Sequence, residues 1–197
     1  GWRLLCPVRW RVGDTDVDLG PAKQRCVLAI LLLTPSRSVP VSTLVDRVWD
    51  ENPPRADNAV ARYVARLRRI IGSAGADPSI LCFAAGGYRI VVPEECIDLH
   101  RARQRAAAAR AADGATASEL LRAALAGWEP VALAGIPGRW AARVREALQR
   151  ERLDLVADWA EQDLRLGRGD EVITRLRPVV ADHPTAERPV AALMRAL

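Results

Sequence analysis

The feature that most constrains this chain is the run Cys26-Val27-Leu28-Ala29-Ile30-Leu31-Leu32-Leu33. Gly20-Pro21 precedes it and Thr34-Pro35-Ser36 follows it. Pro21 suits the first turn of a helix, and the second proline stops one. Residues 22–33 therefore read as a helix that is apolar almost all round, and such a helix must be covered on every side. It is far too short to span a bilayer. The cover must come from the rest of the chain, and a membrane is not expected as a partner. Gly1-Trp2-Arg3-Leu4 does not have the character of a signal peptide. The 197 residues are half hydrophobic, enough for one large or two small domains.

The segments around this helix supply candidates for the cover. Residues 3–12 are extended in character, 13–16 form a turn, and 17–19 return as a strand. Val39-Pro40-Val41 is a short extended piece, and Ser42 is placed to cap a helix over 43–49. Residues 50–55 make a proline-stiffened loop. A helix over 57–71 follows, with Asp57 or Asn58 as its cap and Gly72 at its end. Residues 80–83 and 88–92 alternate like two strands, joined through Ala84-Ala85-Gly86-Gly87 as a hairpin tip. Strands, helix, short strand, helix, helix and hairpin are the layout of an OmpR-like winged helix-turn-helix, an α+β fold.

The helix over 57–71 has two faces. Val60, Val64, Leu67 and Ile71 recur at helical spacing and make an apolar stripe, widened by Tyr63 and Ile70. On the other side Asn58, Arg62, Arg66 and Arg69 stack without an acid among them. Guanidinium forks match phosphate oxygens and the N7/O6 edge of guanine, and an α-helix fits the major groove of DNA. Taken alone, such a row is more often a solvated face than a reading face. The charge distribution favours reading. Residues 1–93 hold 13 Lys+Arg against 8 Asp+Glu, whereas residues 94–197 hold 16 of each. The whole net charge of +5 lies in the first half, as in a basic DNA-binding head joined to a neutral body. Arg66, mid-row, is expected to read a base. Arg55, Arg68 and Arg69 are expected on phosphates, with Arg89 beside the wing adding a backbone contact.

After Pro93-Glu94-Glu95-Cys96-Ile97 the chain is helical: 99–112, 119–128 capped by Ser118, 139–166, 171–181 capped by Asp170, and 187–197. Pro178 should kink its helix. No Walker-type phosphate loop, GxSxG, HExxH or paired-carboxylate arrangement stands out, so no enzyme is expected. Cys6, Cys26, Cys82 and Cys96 show no metal-ligand spacing, and only His100 and His183 could join them. Neither a metal nor a cofactor is expected. The cysteines read as thiols of a cytoplasmic protein, with Cys82–Cys96 as the minority disulfide alternative. Trp49, Trp128, Trp140 and Trp159 read as core.

Several stretches also resemble one known family. They are Leu19-Gly20-Pro21-Ala22-Lys23-Gln24-Arg25, Ala29-Ile30-Leu31-Leu32-Leu33, Val41-Ser42-Thr43-Leu44-Val45-Asp46-Arg47-Val48-Trp49, Tyr63-Val64-Ala65-Arg66-Leu67-Arg68-Arg69 and Gly86-Gly87-Tyr88-Arg89. Together they are similar to the signatures of the AfsR/SARP-type activators, the Streptomyces antibiotic regulatory proteins. Asp98-Leu99-His100 resembles the start of that family's second module, the bacterial transcriptional activation domain. The resemblance implies a winged-helix DNA-binding domain over 1–93. It implies an all-α tetratricopeptide-like domain over 94–197, shorter than the family's usual module. It implies an activator of a secondary-metabolite or other pathway gene cluster. Such an activator binds double-stranded promoter DNA as tandem copies on direct repeats near the −35 element, self-associates there, and touches RNA polymerase including its sigma factor. The chain departs from the pattern at Ala59, Ala61 and Ala65, where small polar residues are frequent, and at a wing tip without a basic residue. These departures motivate the competing expectation of a protein-interaction module that does not bind DNA.

Overall fold

The computed structural model describes residues 1–51 and 53–197. Asn52, within the expected loop 50–55, lies outside the described residues. The chain divides into two compact units: Gly1–Leu99 with Glu129–Glu146, and His100–Trp128 with Ala147–Leu197.

The first unit opens with an antiparallel sheet of β1 (Trp2–Arg3), β2 (Arg9–Val12) and β3 (Thr15–Val17). Trp2 pairs with Trp10 across β1 and β2, and their rings stack at 4.5 Å. The single extended segment expected over 3–12 is thus two short strands. Leu4, Leu5 and Cys6 between them are buried and take other partners. The Leu4 and Leu5 amides donate to the carboxylate of Asp98, at 2.8 and 3.3 Å. Their carbonyls accept from Leu133 and Glu129, at 3.1 and 2.9 Å. A backbone whose amides are claimed by a buried carboxylate cannot also run in a ladder.

Helix α1 (Ala22–Leu32) is buried throughout its second half: every residue from Cys26 to Leu32 is at most 1 % exposed. It packs with α2 (Val41–Val48) and α3 (Ala56–Ser73). Strand β4 (Val39–Pro40) runs straight into α2, so Pro40 rather than Ser42 stands at the cap and Ser42 lies in the first turn. The hairpin β5 (Leu81–Ala84) and β6 (Gly87–Ile90) joins β4 in a second sheet of order β4-β6-β5. Ala85 and Gly86 at its tip have φ of 50° and 71°. Two positive φ values are what a two-residue type I′ turn requires.

The second part of the chain is helical: α4 (Asp98–Ala109), α5 (Gly114–Leu125), α6 (Arg139–Arg165), α7 (Gly169–Asp182) and α8 (Glu187–Ala196). Helix α5 starts a turn earlier than its sequence suggests. Asp113 caps it by accepting from the Thr116 amide at 3.0 Å. Ser118 is therefore not a cap but a buried residue inside the helix, and its hydroxyl donates to Asp163 on α6. Arg168, not Asp170, precedes α7, and Pro178 lies within that helix. In the second unit Trp159, Leu121, Val156, Val172, Leu176 and Ala192 belong to one apolar core.

Two glycines of the wing carry different burdens. A Cβ on Gly87 would stand 2.1 Å from the carbonyl oxygen of Val39, across the β4–β6 pairing. A Cβ on Gly86 would meet nothing within 4 Å. Gly87→Ala should therefore destabilise the fold by about 2–4 kcal/mol, as an overpacked backbone approach does. Gly86→Ala should cost only about 1 kcal/mol, for placing a side chain at positive φ. Urea denaturation of both variants checks this ordering, and equal losses would refute it.

Candidate nucleic-acid interface

Helix α3 is held by its apolar stripe. Val60, Val64, Leu67 and Ile71 are at most 1 % exposed, and the helix packs on α1 and α2. Tyr63, half-buried, stacks on Trp49 at 6.2 Å, and the Lys23 ammonium lies 5.1 Å over the same Trp49 ring. These contacts fix the rotation of α3 about its axis. Its start differs from the sequence expectation. Arg55 occupies the cap position in the left-handed conformation (φ 57°), and among the described residues no side chain caps the helix. Asp57 instead sits in the first turn, where a carboxylate meets the positive end of the helix dipole. Gly72 lies within the helix, which continues to Ser73.

The opposite side carries the row expected from the sequence. Asn58, Arg62, Arg66 and Arg69 are all exposed. None of them makes an ion pair or a side-chain hydrogen bond to a described residue. Ala61 and Ala65, also exposed, lie among them. Their single methyl groups let a rigid surface come close to the helix backbone. Arg55, exposed as well, stands at the N-terminal end of the row. The structure thus gathers five of the seven expected residues on one side of α3.

The other two are committed within the fold. Arg68 is half-buried, and its Nε donates to the carbonyl of Leu81 at 2.7 Å. It ties α3 to the base of the wing. Arg89 is half-buried on β6, opposite Cys82 on β5, and its Nε donates to the Cys82 sulfur at 3.2 Å. Beyond them the wing tip is neutral. Phe83 is 58 % exposed and meets Tyr88 edge-on at 5.1 Å. The Ser38 hydroxyl donates to the Ala84 carbonyl at 2.5 Å, which fastens the tip to the segment before β4.

A further contact ties Asp50, after α2, to Arg139. The Asp50 carboxylate accepts from the Arg139 amide at 2.8 Å, and the Arg139 guanidinium donates to the Asp50 carbonyl at 2.6 Å. No local pattern announces this pair, because its partners are 89 residues apart. Of the cysteines, Cys82 lies in the wing under Arg89. All four are free thiols, and burial pushes Cys6 up to about 11 and Cys26 up to about 12. Protonated thiols are poor nucleophiles and poor metal ligands.

Comparison with known proteins gives two family matches. Residues 14–90 match the transcriptional regulatory protein C-terminal domain, and residues 97–197 match the bacterial transcriptional activator domain. The chain is 39 % identical over 201 residues to the regulatory protein AfsR of Streptomyces coelicolor, covering 98 % of this chain and 20 % of AfsR. It is 34 % identical over 191 residues to the transcriptional regulatory protein EmbR of Mycobacterium tuberculosis, covering 93 % of this chain and 49 % of EmbR. The chain thus spans half or less of these two relatives. The solved structure of M. tuberculosis EmbR in complex with a low-affinity phosphopeptide superimposes with a TM-score of 0.91 at 32 % identity. That match covers 99 % of this chain and 53 % of the other.

Arg68→Ala should loosen the wing without touching the exposed row. It leaves the buried Leu81 carbonyl without its donor, a loss of about 1–3 kcal/mol. Amide exchange in β5 and β6 should quicken more than exchange in α1. Uniform or unchanged protection would show that Arg68 does not hold the hairpin.

Proposed function

We propose that this chain, which belongs to the AfsR/SARP-type transcriptional regulators, binds promoter DNA through the exposed face of α3 and activates transcription. One observation carries this reading. Four side chains, three of them guanidinium groups, project unpaired from a helix whose opposite face is locked into the core. A rigid helix with free guanidinium groups presents to the major groove the donors that guanine and phosphate accept.

In this reading the roles divide by position. Arg66, in the middle of the row, reads a base edge. Asn58 and Arg62 lie beside it in the groove. Arg55 and Arg69, at the ends, take phosphates. Arg68 and Arg89 contribute charge near the backbone while bracing the wing. Residues 1–93 form the DNA-binding domain, and residues 94–197 form the activation domain. The match of residues 97–197 to the bacterial transcriptional activator domain supports that assignment. By the same family logic, copies sit in tandem on direct repeats near the −35 element and contact RNA polymerase, including its sigma factor. The site of action is then the cytoplasm. Among the described residues, no helix is long and apolar enough to cross a membrane.

Two measurements test the DNA reading. Arg66→Ala should weaken binding to a cognate promoter by about 1–3 kcal/mol and relax preference at one base pair. Arg62→Ala and Arg69→Ala should weaken cognate and random DNA more evenly. If Arg66→Ala leaves affinity and preference unchanged while the fold is intact, Arg66 reads no base.

The wing gives the second measurement. Ala84 and Ala85 bring no cation to the tip, whereas the minor groove rewards one. Each phosphate neutralised steepens the log–log salt dependence by about 0.9. Ala84→Arg should therefore tighten binding and steepen the slope by roughly one unit, with sequence preference unchanged. An unaltered slope would mean that the tip stays away from DNA. The exposed Phe83 would then favour a protein partner for the wing, which is the interaction-module alternative.

A further inference from the structure

The second unit holds a cavity that DNA binding does not use. Its volume is about 480 Å³, and residues of α5, α6 and α7 line it. Most of its wall is apolar: Leu125, Leu153, Val156, Trp159, Pro178 and Val179. Volumes of about 300–1,000 Å³ with apolar walls and a few polar groups are characteristic of sites for small molecules.

The polar groups decide what kind of molecule. Gln149 and His183 satisfy each other, with Nε2 atoms 2.8 Å apart. Arg175 lies over the Trp159 ring at 5.1 Å and reaches Glu171 at 3.5 Å. Thr174 and Asp182 complete the polar lining. Arg152 is different. It is half-buried in the cavity wall, yet it makes no ion pair or hydrogen bond with a described residue. The nearby Asp182 acts on it only through the field, and burial presses the guanidinium below its ordinary pKa. A cation that loses part of its water without an anion in exchange pays for it, and a carboxylate accepting its paired N–H groups offsets that cost. Arg122, which faces the buried Asp163, has such partners in Asp163 and Glu171.

We propose that this cavity binds a small organic acid: a carboxylate held by Arg152, carried on an apolar body that packs against Leu153 and Val179. The inference does not depend on the DNA reading, because every residue it uses lies in the second unit.

Calorimetry on the whole chain tests it with two matched pairs, 4-phenylbutyrate against 4-phenylbutanamide and octanoate against octanamide. Each acid should bind at one site, at least roughly tenfold more tightly than its uncharged amide, as expected for a charge-assisted hydrogen bond. Arg152→Gln should erase the difference between acid and amide. Arg177→Gln, which removes the same charge from α7 outside the cavity, should preserve it. Val179→Trp, which fills the cavity, should weaken acid and amide alike by roughly tenfold or more. Circular dichroism confirms that each variant is folded. The proposal is overturned if neither acid saturates by about 10 mM, if acid and amide bind equally, or if Arg152→Gln binds the acids as tightly as the parent chain. A short peptide with a free C-terminus that outbinds both acids in an Arg152-dependent way would also overturn it, by making the cavity a peptide groove.

Discussion

Burial of α1 is the constraint on which the first unit depends. From Cys26 to Leu32 no side chain is more than 1 % exposed, so the helix leaves no side free for solvent. Helices α2 and α3 and strand β6 all meet it. That demand also orients α3. Burying each of Val60, Val64, Leu67 and Ile71 is worth about 1.5–3 kcal/mol. Turning α3 half round would expose all four and bury three guanidinium groups, at a cost of several kcal/mol for each unpaired ion. Both terms point the same way, so the outward direction of Arg62, Arg66 and Arg69 follows from the core. A reading face needs no device of its own when its opposite face is this apolar.

The wing is rigid for a different reason. It is fixed by backbone approach and by hydrogen bonds, not by bulk. Gly87 lets β4 come within a distance that no side chain would tolerate. Arg68 reaches from α3 to Leu81 at the foot of the hairpin, and Ser38 reaches Ala84 near its tip. The hairpin is thereby referenced to the same helix that carries the arginine row. Any surface that meets both is met in a fixed geometry, which is the preorganisation that lowers the cost of binding.

Much of this was legible from local pattern. The apolar run between two prolines revealed α1, the period of 3.6 residues revealed α3 and the stripe that it buries, and Gly86-Gly87 revealed the hairpin turn. The exposed positions of Asn58, Arg62, Arg66 and Arg69 followed from that stripe. What local pattern missed lies in contacts between residues far apart in the chain. Residues 3–12 are extended in character, but Asp98 captures the amides of Leu4 and Leu5 from more than ninety residues away. Ser118 has the look of a cap, but Asp163 lies 45 residues on and takes its hydroxyl inside the unit. Arg68 sits on the flank of the helical wheel, where spacing does not show that its Nε also braces the wing at Leu81. For Asp98 and Ser118 a polar side chain had both a local and a distant use, and packing chose the distant one.

The uneven charge of the chain is a matter of pairing as well as of number. The neutral half holds several matched ions: Arg103 with Glu151, Arg122 with Asp163 and Glu171, and Arg188 with Asp154 and Asp158. Paired charges cancel beyond a few ångströms and project little field. The α3 arginines are unmatched, so their fields add, and a row of like charges attracts a polyanion over about one Debye length, near 8–10 Å in physiological salt. They also repel one another, which a fold selected for stability alone would avoid, since like charges one turn apart destabilise a helix by a few tenths of a kcal/mol per pair. The same chain therefore treats its arginines in two ways. It neutralises Arg103, Arg122 and Arg188 where they brace helices and leaves Arg62, Arg66 and Arg69 bare on α3, where only an outside anion relieves them. Arg152, half-buried in a cavity wall and without an ion pair to a described residue, obeys the rule of α3 on the scale of a cavity.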